Sequence, residues 1–370
     1  VGAIETVTFV PMLGTAGSYL AFVTGNLTSL KVPAALSAME NAGVKPGTEE
    51  GEVSPVEQDI VENVFTLGDL SVSSIMTQRN DIIWIDKEMT PTADRKFLVA
   101  AKDTLIVLAE GLGKGEHEVI LQKRTEGEQG RFTVHSFVSE GEILQANGRK
   151  ERHIEFIGDS YTCGYGTESA SGNDPFLPET ENCNLTYATI AARYFNADYN
   201  LVSHSGQGVC RNYDDYRPGY TMPDRYTQVF DEDPDMKWTP DMAPHRPDIV
   251  VIYLCTNDFS TARQPHELIF AERYIELLKK IKANYGEDIP ILCMASNVTP
   301  FSFDHIRNAC IMSGLKNVSY MGMTTNVHNH TTDLGASAHP NYKGQIKVAS
   351  NVIPYISSIT GWEMEDKLYR

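Results

Sequence analysis

The spacing of apolar positions changes character near residue 150. Before it the apolar runs are short: "IETVTFV", "GSYLAFV", "DIIWID", "KFLVAAKDTLIVLAEGL", "EHEVILQKR" and "RFTVHSFV". They are rich in Val, Ile, Phe and Thr and are parted by turn segments such as "GKGE" and "EGEQG". Short strands punctuated in this way predict an antiparallel sandwich over residues 1–148. Within it, "KVPAALSAMENAGVKPGTEEGEVSP" (31–55) predicts one short helix and an acidic loop, and Trp84 in "IIWID" reads as sandwich core. The segment "ILQANGRKER" marks the junction.

From residue 149 to 370 strand and helix patterns alternate. "IEFIGDS", "YNLVSHS", "PDIVVIYLCTND", "IPILCMAS" and "NVSYMGM" predict buried strands. Between them fall "NLTYATIAARYFNA" (184–197), with Asn184 as its expected cap, and the amphipathic "HELIFAERYIELLKKIKANYG", ended by Gly286. Further helices are expected around 304–314 and 341–359, the last with Pro354 inside it. Such alternation builds a parallel sheet with helices on both faces. A polar, Asp- and Pro-rich excursion interrupts it at 211–247.

Composition narrows the partners. At 370 residues two domains are expected, and 41% hydrophobic content suffices for two cores. No apolar run approaches ~18 residues, so the reading has no membrane span. A formal charge of −18 with no offsetting basic cluster speaks against nucleic acid and anionic lipid. The six cysteines lie far apart, without a C-x-x-C or zinc-type spacing, and read as free thiols. With no signal pattern visible, the expected location is cytoplasmic, or secreted if a signal preceded Val1.

Four short segments fall where strands of the second half should end: Gly158-Asp159-Ser160, "SHSGQG" with Gly206, "CTND" with Asn257, and "SAHPN" with His339. Singly, each also reads as a turn, a cap or a strand end. A parallel sheet, however, gathers such ends on one edge. A serine hydroxyl becomes a nucleophile only when a base such as histidine takes its proton. The intermediate then needs donors for its oxyanion, which a close glycine N–H and an asparagine amide can supply.

In this order the residues resemble the four signature blocks of the SGNH, or GDSL-type, hydrolases. The stretch "KGEHEVILQKRTEGEQGRFTVHSF" followed by "RHIEFIGDSYTCGYG" further resembles carbohydrate esterase family 2, the two-domain acetylxylan esterases. The likeness runs from about Ile82 to Gly361. It implies a flavodoxin-like three-layer α/β hydrolase domain (149–370) preceded by an all-β jelly-roll sandwich (1–148). It implies a serine esterase that removes acetyl groups from plant-type polysaccharides or oligosaccharides such as acetylated xylan, with no metal or cofactor. Ser160 would be the nucleophile and His339 the base. The N–H groups of Ser160 and Gly206 and the Asn257 amide would form the oxyanion hole. A homo-oligomer is compatible with this reading.

Two positions depart from the family pattern. Cys255 stands where many SGNH enzymes have glycine, two residues before the block-three Asn. Ala336 stands where they carry Asp, three residues before the His. Asp333, the nearest acidic residue, and a backbone carbonyl near Ser337 are the alternatives for orienting His339, and the carbonyl is favoured. A lipase, thioesterase or general short-chain esterase could share the scaffold, although no lid-like apolar segment supports a lipase. A glycan-binding protein with a decayed hydrolase domain conflicts with intact Ser160, Gly206, Asn257 and His339. Tyr213, Tyr216, Tyr220, Tyr226 and Trp238 in the excursion could line a glycan cleft or make a packing contact. His328 and His330 have the i,i+2 spacing of a metal pair but no evident third ligand, and read as a polar loop.

Overall fold

Three of the first half's runs pair as an antiparallel sheet: β1 (Lys96–Ala101), β2 (Thr104–Glu110) and β3 (Ser136–Ser139), in the order β2-β1-β3. The computed structural model describes residues 96–364 except 102–103, 111, 114, 131–133, 135, 140, 145–148, 216–218, 243–244, 297, 300 and 325–326. All of these belong to the unit Met76–Arg370. The expectations for the β-runs before residue 96, for 31–55 and for Trp84 lie outside the described residues. "EHEVILQKR" was expected as a strand, but only Leu121 makes a bridge. The chain that follows turns onto the second half: the Gln122 amide donates to the Tyr199 hydroxyl at 2.7 Å, and Arg124 Nε donates to the Glu181 carbonyl at 2.8 Å.

The second half is the alternating domain its pattern predicts. β4 (Arg152–Gly158) leads into α1 (Ser160–Cys163), then α2 (Tyr187–Tyr194) and β5 (Ala197–Ser203). The excursion folds as α3 (Met222–Arg225) and a hairpin, β6 (Gln228–Phe230) with β7 (Asp233–Lys237). β8 (Ile249–Tyr253), α4 (Thr256–Phe259), α5 (Glu267–Tyr285), β9 (Ile291–Met294), α6 (Ser302–Ser313) and β10 (Val318–Met321) follow. A two-stranded pair, β11 (Leu334–Gly335) with β12 (His339–Pro340), precedes α7 (Tyr342–Thr360), which contains Pro354.

The main sheet runs β10-β9-β8-β4-β5, and every neighbouring pair is parallel. α5 and α6 cover one face and α2 and α7 the other, each packing a separate buried apolar cluster. This explains why β8 and β9 are buried at every residue and read as unbroken apolar runs. The chain reverses its direction of strand addition at β4, which has β5 on one side and β8 on the other. That is the switch point where open α/β sheets leave a crevice for ligands.

One expectation needs correction, and one open alternative is decided in part. α2 begins at Tyr187 with Thr186 as its cap, not at Asn184. Asn184 lies instead in a 3-10 turn capped by Asn182, and its side-chain oxygen accepts from the Tyr199 hydroxyl. In the excursion, Tyr226 is fully buried and donates to Glu155 at 2.8 Å, while Trp238 rests against the rings of Tyr226 and Tyr285. Tyr226 is core and Trp238 is half-buried against it, which is the packing-contact alternative for these two. Tyr213 is exposed, and Tyr216 lies outside the described residues. The six cysteines are free thiols, all buried except half-buried Cys183.

Candidate active site

The site starts with the turn that ends β4. A Cβ on Gly158 would lie 2.0 Å from Thr162 Oγ1, so glycine is what allows α1 to fold back against the strand. Asp159 caps the helix, its buried carboxylate accepting from the Tyr161 N–H at 3.1 Å. Burial pushes the Asp159 carboxyl up to about 7. Ser160 is thereby the first residue of α1, at the carboxyl edge of the sheet.

His339 arrives from the far end of the chain, 179 residues away, and its Nε2 lies 2.8 Å from Ser160 Oγ. Its Nδ1 lies 3.2 Å from the Ser337 carbonyl and 3.3 Å from that of Ala336. A protonated Nδ1 donating to these carbonyls leaves the Nε2 lone pair facing the serine. The ring sits between Tyr165, at 4.3 Å between centroids, and Tyr161, at 5.5 Å. Burial lowers its pKa to about 4, although the two carbonyls and the charge of Glu126 act in the opposite direction. The imidazole is therefore neutral at pH 7.

The loop that aims this histidine is strained. Ser337 and Ala338 have φ of 51° and 60°, in the left-handed region that costs non-glycine residues energy. Bonds from their N–H groups to the Asp174 and Gly172 carbonyls, both 2.9 Å, hold that conformation. Asp333 is placed elsewhere. Its carboxylate pairs with Lys347 and accepts from the Asn329 N–H and the Thr332 hydroxyl, and no bond joins it to His339 among the described residues. Burial would raise its pKa, but these partners outweigh that and hold it at about 2.

Gly206 lies in the loop after β5 with φ +73°, a conformation suited to glycine. Its carbonyl accepts from the Tyr213 N–H at 2.8 Å, and its own N–H has no backbone acceptor among the described residues. Asn257, in α4, donates through its amide to the Gln207 carbonyl at 2.9 Å and to Asp159 at 3.2 Å. It ties the serine turn to the Gly206 loop, and both its amide hydrogens are engaged. Cys255 has φ +107°, a positive value at the position where the family carries glycine.

Two carboxylates of the site were not singled out from sequence. Asp258 is fully buried and accepts from the N–H groups of Val209, Cys210 and Arg211. Its signal was adjacency to Asn257 at a strand end. Glu126 accepts from the Ser205 N–H at 2.6 Å. It lay inside the stretch that carries the family resemblance, where "TEGEQG" reads as a turn.

Glu126, Cys163 and Glu181, and separately Glu126, Glu128 and His204, bring possible metal-ligand atoms within 4.8 Å of one another. Glu126, common to both, already accepts hydrogen bonds from Ser205 and Cys163. His328 is buried and His330 exposed, so the two histidines do not face a common site. A cavity of about 970 Å³ opens beside β5, lined by Glu126, Glu155, His204 and Trp238 among others, but it includes neither Ser160 nor His339.

A parallel sheet with a serine at its switch point and a histidine bonded to it defines the class, a GDSL-type hydrolase. The model of the GDSL-like lipase/acylhydrolase family matches residues 156–345, and the chain belongs to that family. Within it, its kin are the family 2 carbohydrate esterases, whose N-terminal model matches residues 73–146.

The chain is 32% identical over 274 residues to the cellulase/esterase CelE of Acetivibrio thermocellus, covering 72% of this chain and 33% of that protein. It is 32% identical over 192 residues to an acetylxylan esterase / glucomannan deacetylase of Cellvibrio japonicus, covering 47% of this chain and 51% of that protein. It thus spans about a third and about half of the length of these two relatives. A family two carbohydrate esterase from Clostridium thermocellum, solved in complex with cellohexaose, superposes with a TM-score of 0.64 at 29% identity. That match covers 74% of this chain and 88% of the other.

Proposed function

We propose that this chain is a serine esterase that removes O-acetyl groups from plant-type polysaccharides or their oligosaccharides, acetylated xylan and glucomannan among them. The observation that carries the proposal is the 2.8 Å contact between Ser160 Oγ and the Nε2 of a neutral, carbonyl-oriented His339. The names of the CelE and acetylxylan esterase relatives support the ester chemistry, and the cellohexaose complex supports a β-glycan as the carrier. The antiparallel sheet β1–β3 supports the all-β, jelly-roll-like reading of the first half.

In this mechanism His339 takes the Ser160 proton as the hydroxyl oxygen attacks the acetyl carbonyl. The Ser160 and Gly206 N–H groups receive the oxyanion. Asn257 joins them by exchanging its longer bond, to Asp159, for one to the substrate oxygen. His339 then gives the proton to the sugar oxygen as its bond to the acetyl carbon breaks, so that it leaves as a hydroxyl. Water, deprotonated by His339, attacks the acetyl-enzyme to release acetate and restore Ser160. The base is a dyad with two carbonyls, and Asp333 stands aside. Tyr161 and Tyr165 crowd the acyl side and favour acetyl over longer chains.

The test is acetate release from acetylated xylan, glucomannan and simple sugar acetates, set against aryl esters of increasing chain length. Ser160→Ala, checked for folding, is expected to lose ~10³-fold or more in kcat. Turnover should fall steeply from acetyl to butyryl. Wild-type turnover in folded Ser160→Ala overturns the serine mechanism, and activity that rises with chain length points to a lipase.

A further inference from the structure

Glu126 comes from outside the matched hydrolase region, within the 73–146 stretch, yet it is buried against the loop that carries Gly206. Its segment is clamped there: the Cys183 N–H donates to the Arg124 carbonyl at 2.8 Å, and Arg124 Nε donates to the Glu181 carbonyl at 2.8 Å. The Glu126 carboxylate accepts from the Ser205 N–H at 2.6 Å and from the Cys163 thiol at 3.4 Å. His204 Nδ1 is 3.9 Å from the same oxygen and 2.8 Å from the Ser205 carbonyl, to which it donates. His204 Nε2 lies 3.1 Å from Asp231.

These bonds determine where the Gly206 N–H points. The Ser205 carbonyl and the Gly206 N–H are opposite ends of one planar trans peptide and face opposite ways. Drawing the carbonyl to His204 turns the N–H away from it. The preceding peptide is pinned through the Ser205 N–H by Glu126, so two successive peptides are fixed. We propose that Glu126 is a positioning residue of the esterase: from the N-terminal region, its carboxylate holds the His204–Ser205–Gly206 backbone so that the Gly206 N–H meets the oxyanion. The proposal rests on the esterase reading above.

The groups facing Glu126 are Glu181, Cys163, His204 and Glu128, with the Lys123 ammonium donating to the Glu126 carbonyl at 2.8 Å and Asp159 near enough to feel the Glu126 charge. Burial first, and the charge of Glu126 second, push the Glu181 carboxyl upward. His339 is faced by Ser160, Tyr161, Tyr165 and two neutral carbonyls. Glu126 is the carboxylate whose charge acts on it.

Glu126→Gln keeps an oxygen for the Ser205 N–H and removes the charge, whereas Glu126→Ala removes both. On an aryl acetate kcat is expected to fall about tenfold in the first and about a hundredfold in the second, with KM within about twofold. The Ser205 and Gly206 amide resonances, read by NMR on nitrogen-labelled protein, should shift in Glu126→Ala and shift less in Glu126→Gln, which keeps an acceptor for the Ser205 N–H. Melting temperatures establish that each variant is folded. A folded Glu126→Ala enzyme with kcat within about twofold of wild type, or with unmoved Ser205 and Gly206 resonances, overturns the proposal. The NMR reading needs no turnover, so it reports on Glu126 even if the wild-type chain releases no acetate and the esterase reading itself fails.

Discussion

The loop after β5, which brings Gly206, is tied down by carboxylates: Asp258 gathers the N–H groups of Val209, Cys210 and Arg211, and Glu126 takes that of Ser205. The loop that brings His339 is tied down by neutral backbone. The Ser337 and Ala338 N–H groups bond to carbonyls, and two further carbonyls face Nδ1. The difference follows from what each loop presents. A loop of oxyanion donors must keep one N–H free for substrate, and anions placed behind it draw the neighbouring N–H groups away. A loop presenting a base must fix one tautomer, and a carbonyl does this without charge. Burial then wins and His339 titrates low, near 4.

The sharpest way to break the comparison is to remove the charge that holds the donor loop. Asp258→Ala leaves the Val209, Cys210 and Arg211 N–H groups buried without acceptors. An unsatisfied buried donor costs about 1–3 kcal/mol, so a loss of about 3–5 kcal/mol is expected after partial relaxation. Urea unfolding measures it, and kcat on an aryl acetate should fall with it as Gly206 loses its support. A folded variant within about 1 kcal/mol of wild type and fully active would show that the loop holds itself.

The converse test removes the carboxylate nearest in sequence to the base. Asp333→Asn and Asp333→Ala are expected to keep activity within about tenfold of wild type, a barrier change of ~1.4 kcal/mol. The acid limb of the pH–rate profile should stay where His339 puts it, near 4. A thousandfold loss in both variants would restore a Ser160–His339–Asp333 triad. The effect on stability has a definite sign. Asp333 is held at about 2 in the fold, below its ordinary 3.8. Its contribution is therefore full above pH ~4 and is lost as pH falls toward 2. The Asn variant should be less stable at neutral pH and lose less on acidification.

What could be read in the sequence, and what could not, divides along the same line. The strands β4, β8 and β9 show as apolar runs because both of their faces are covered. Ser160, Gly206 and Asn257 show because each follows a strand of the main sheet, whereas His339, expected at a strand end, instead opens the short β12 and is legible only through its "HPN" segment. The supports do not show. Glu126 precedes Ser160 by more than thirty residues, and only the crossing of its segment onto the second half makes the two neighbours. Asp258 stood beside a residue already given a role. For Tyr226 and Trp238 the sequence left a glycan cleft and a packing contact open, because nothing local announces that the excursion closes over the buried Glu155. Long-range polar contacts leave no periodicity behind them.

The smallest effect expected concerns Cys255, at the start of α4 just beyond β8. Its φ of +107° is one that L-residues adopt at a cost of order 1–3 kcal/mol. Cys255→Gly relieves that strain. It also removes a fully buried side chain and adds backbone freedom to the unfolded chain, the latter worth about 0.4–1 kcal/mol. These terms oppose each other and are similar in size, so the net change should stay within about 1 kcal/mol. Cys255→Val has no such compensation. A β-branched side chain at positive φ is a true outlier, and the added methyl enters a filled core, for about 2 kcal/mol or more of destabilisation. Thermal unfolding of the two variants side by side is the measurement. If glycine proves as costly as valine, the thiol's packing and not the backbone governs this position. If glycine is tolerated and valine is not, the departure from the family's glycine is a strain that the buried thiol offsets, and the donor loop's neighbour, like the His339 loop, keeps a left-handed backbone without glycine.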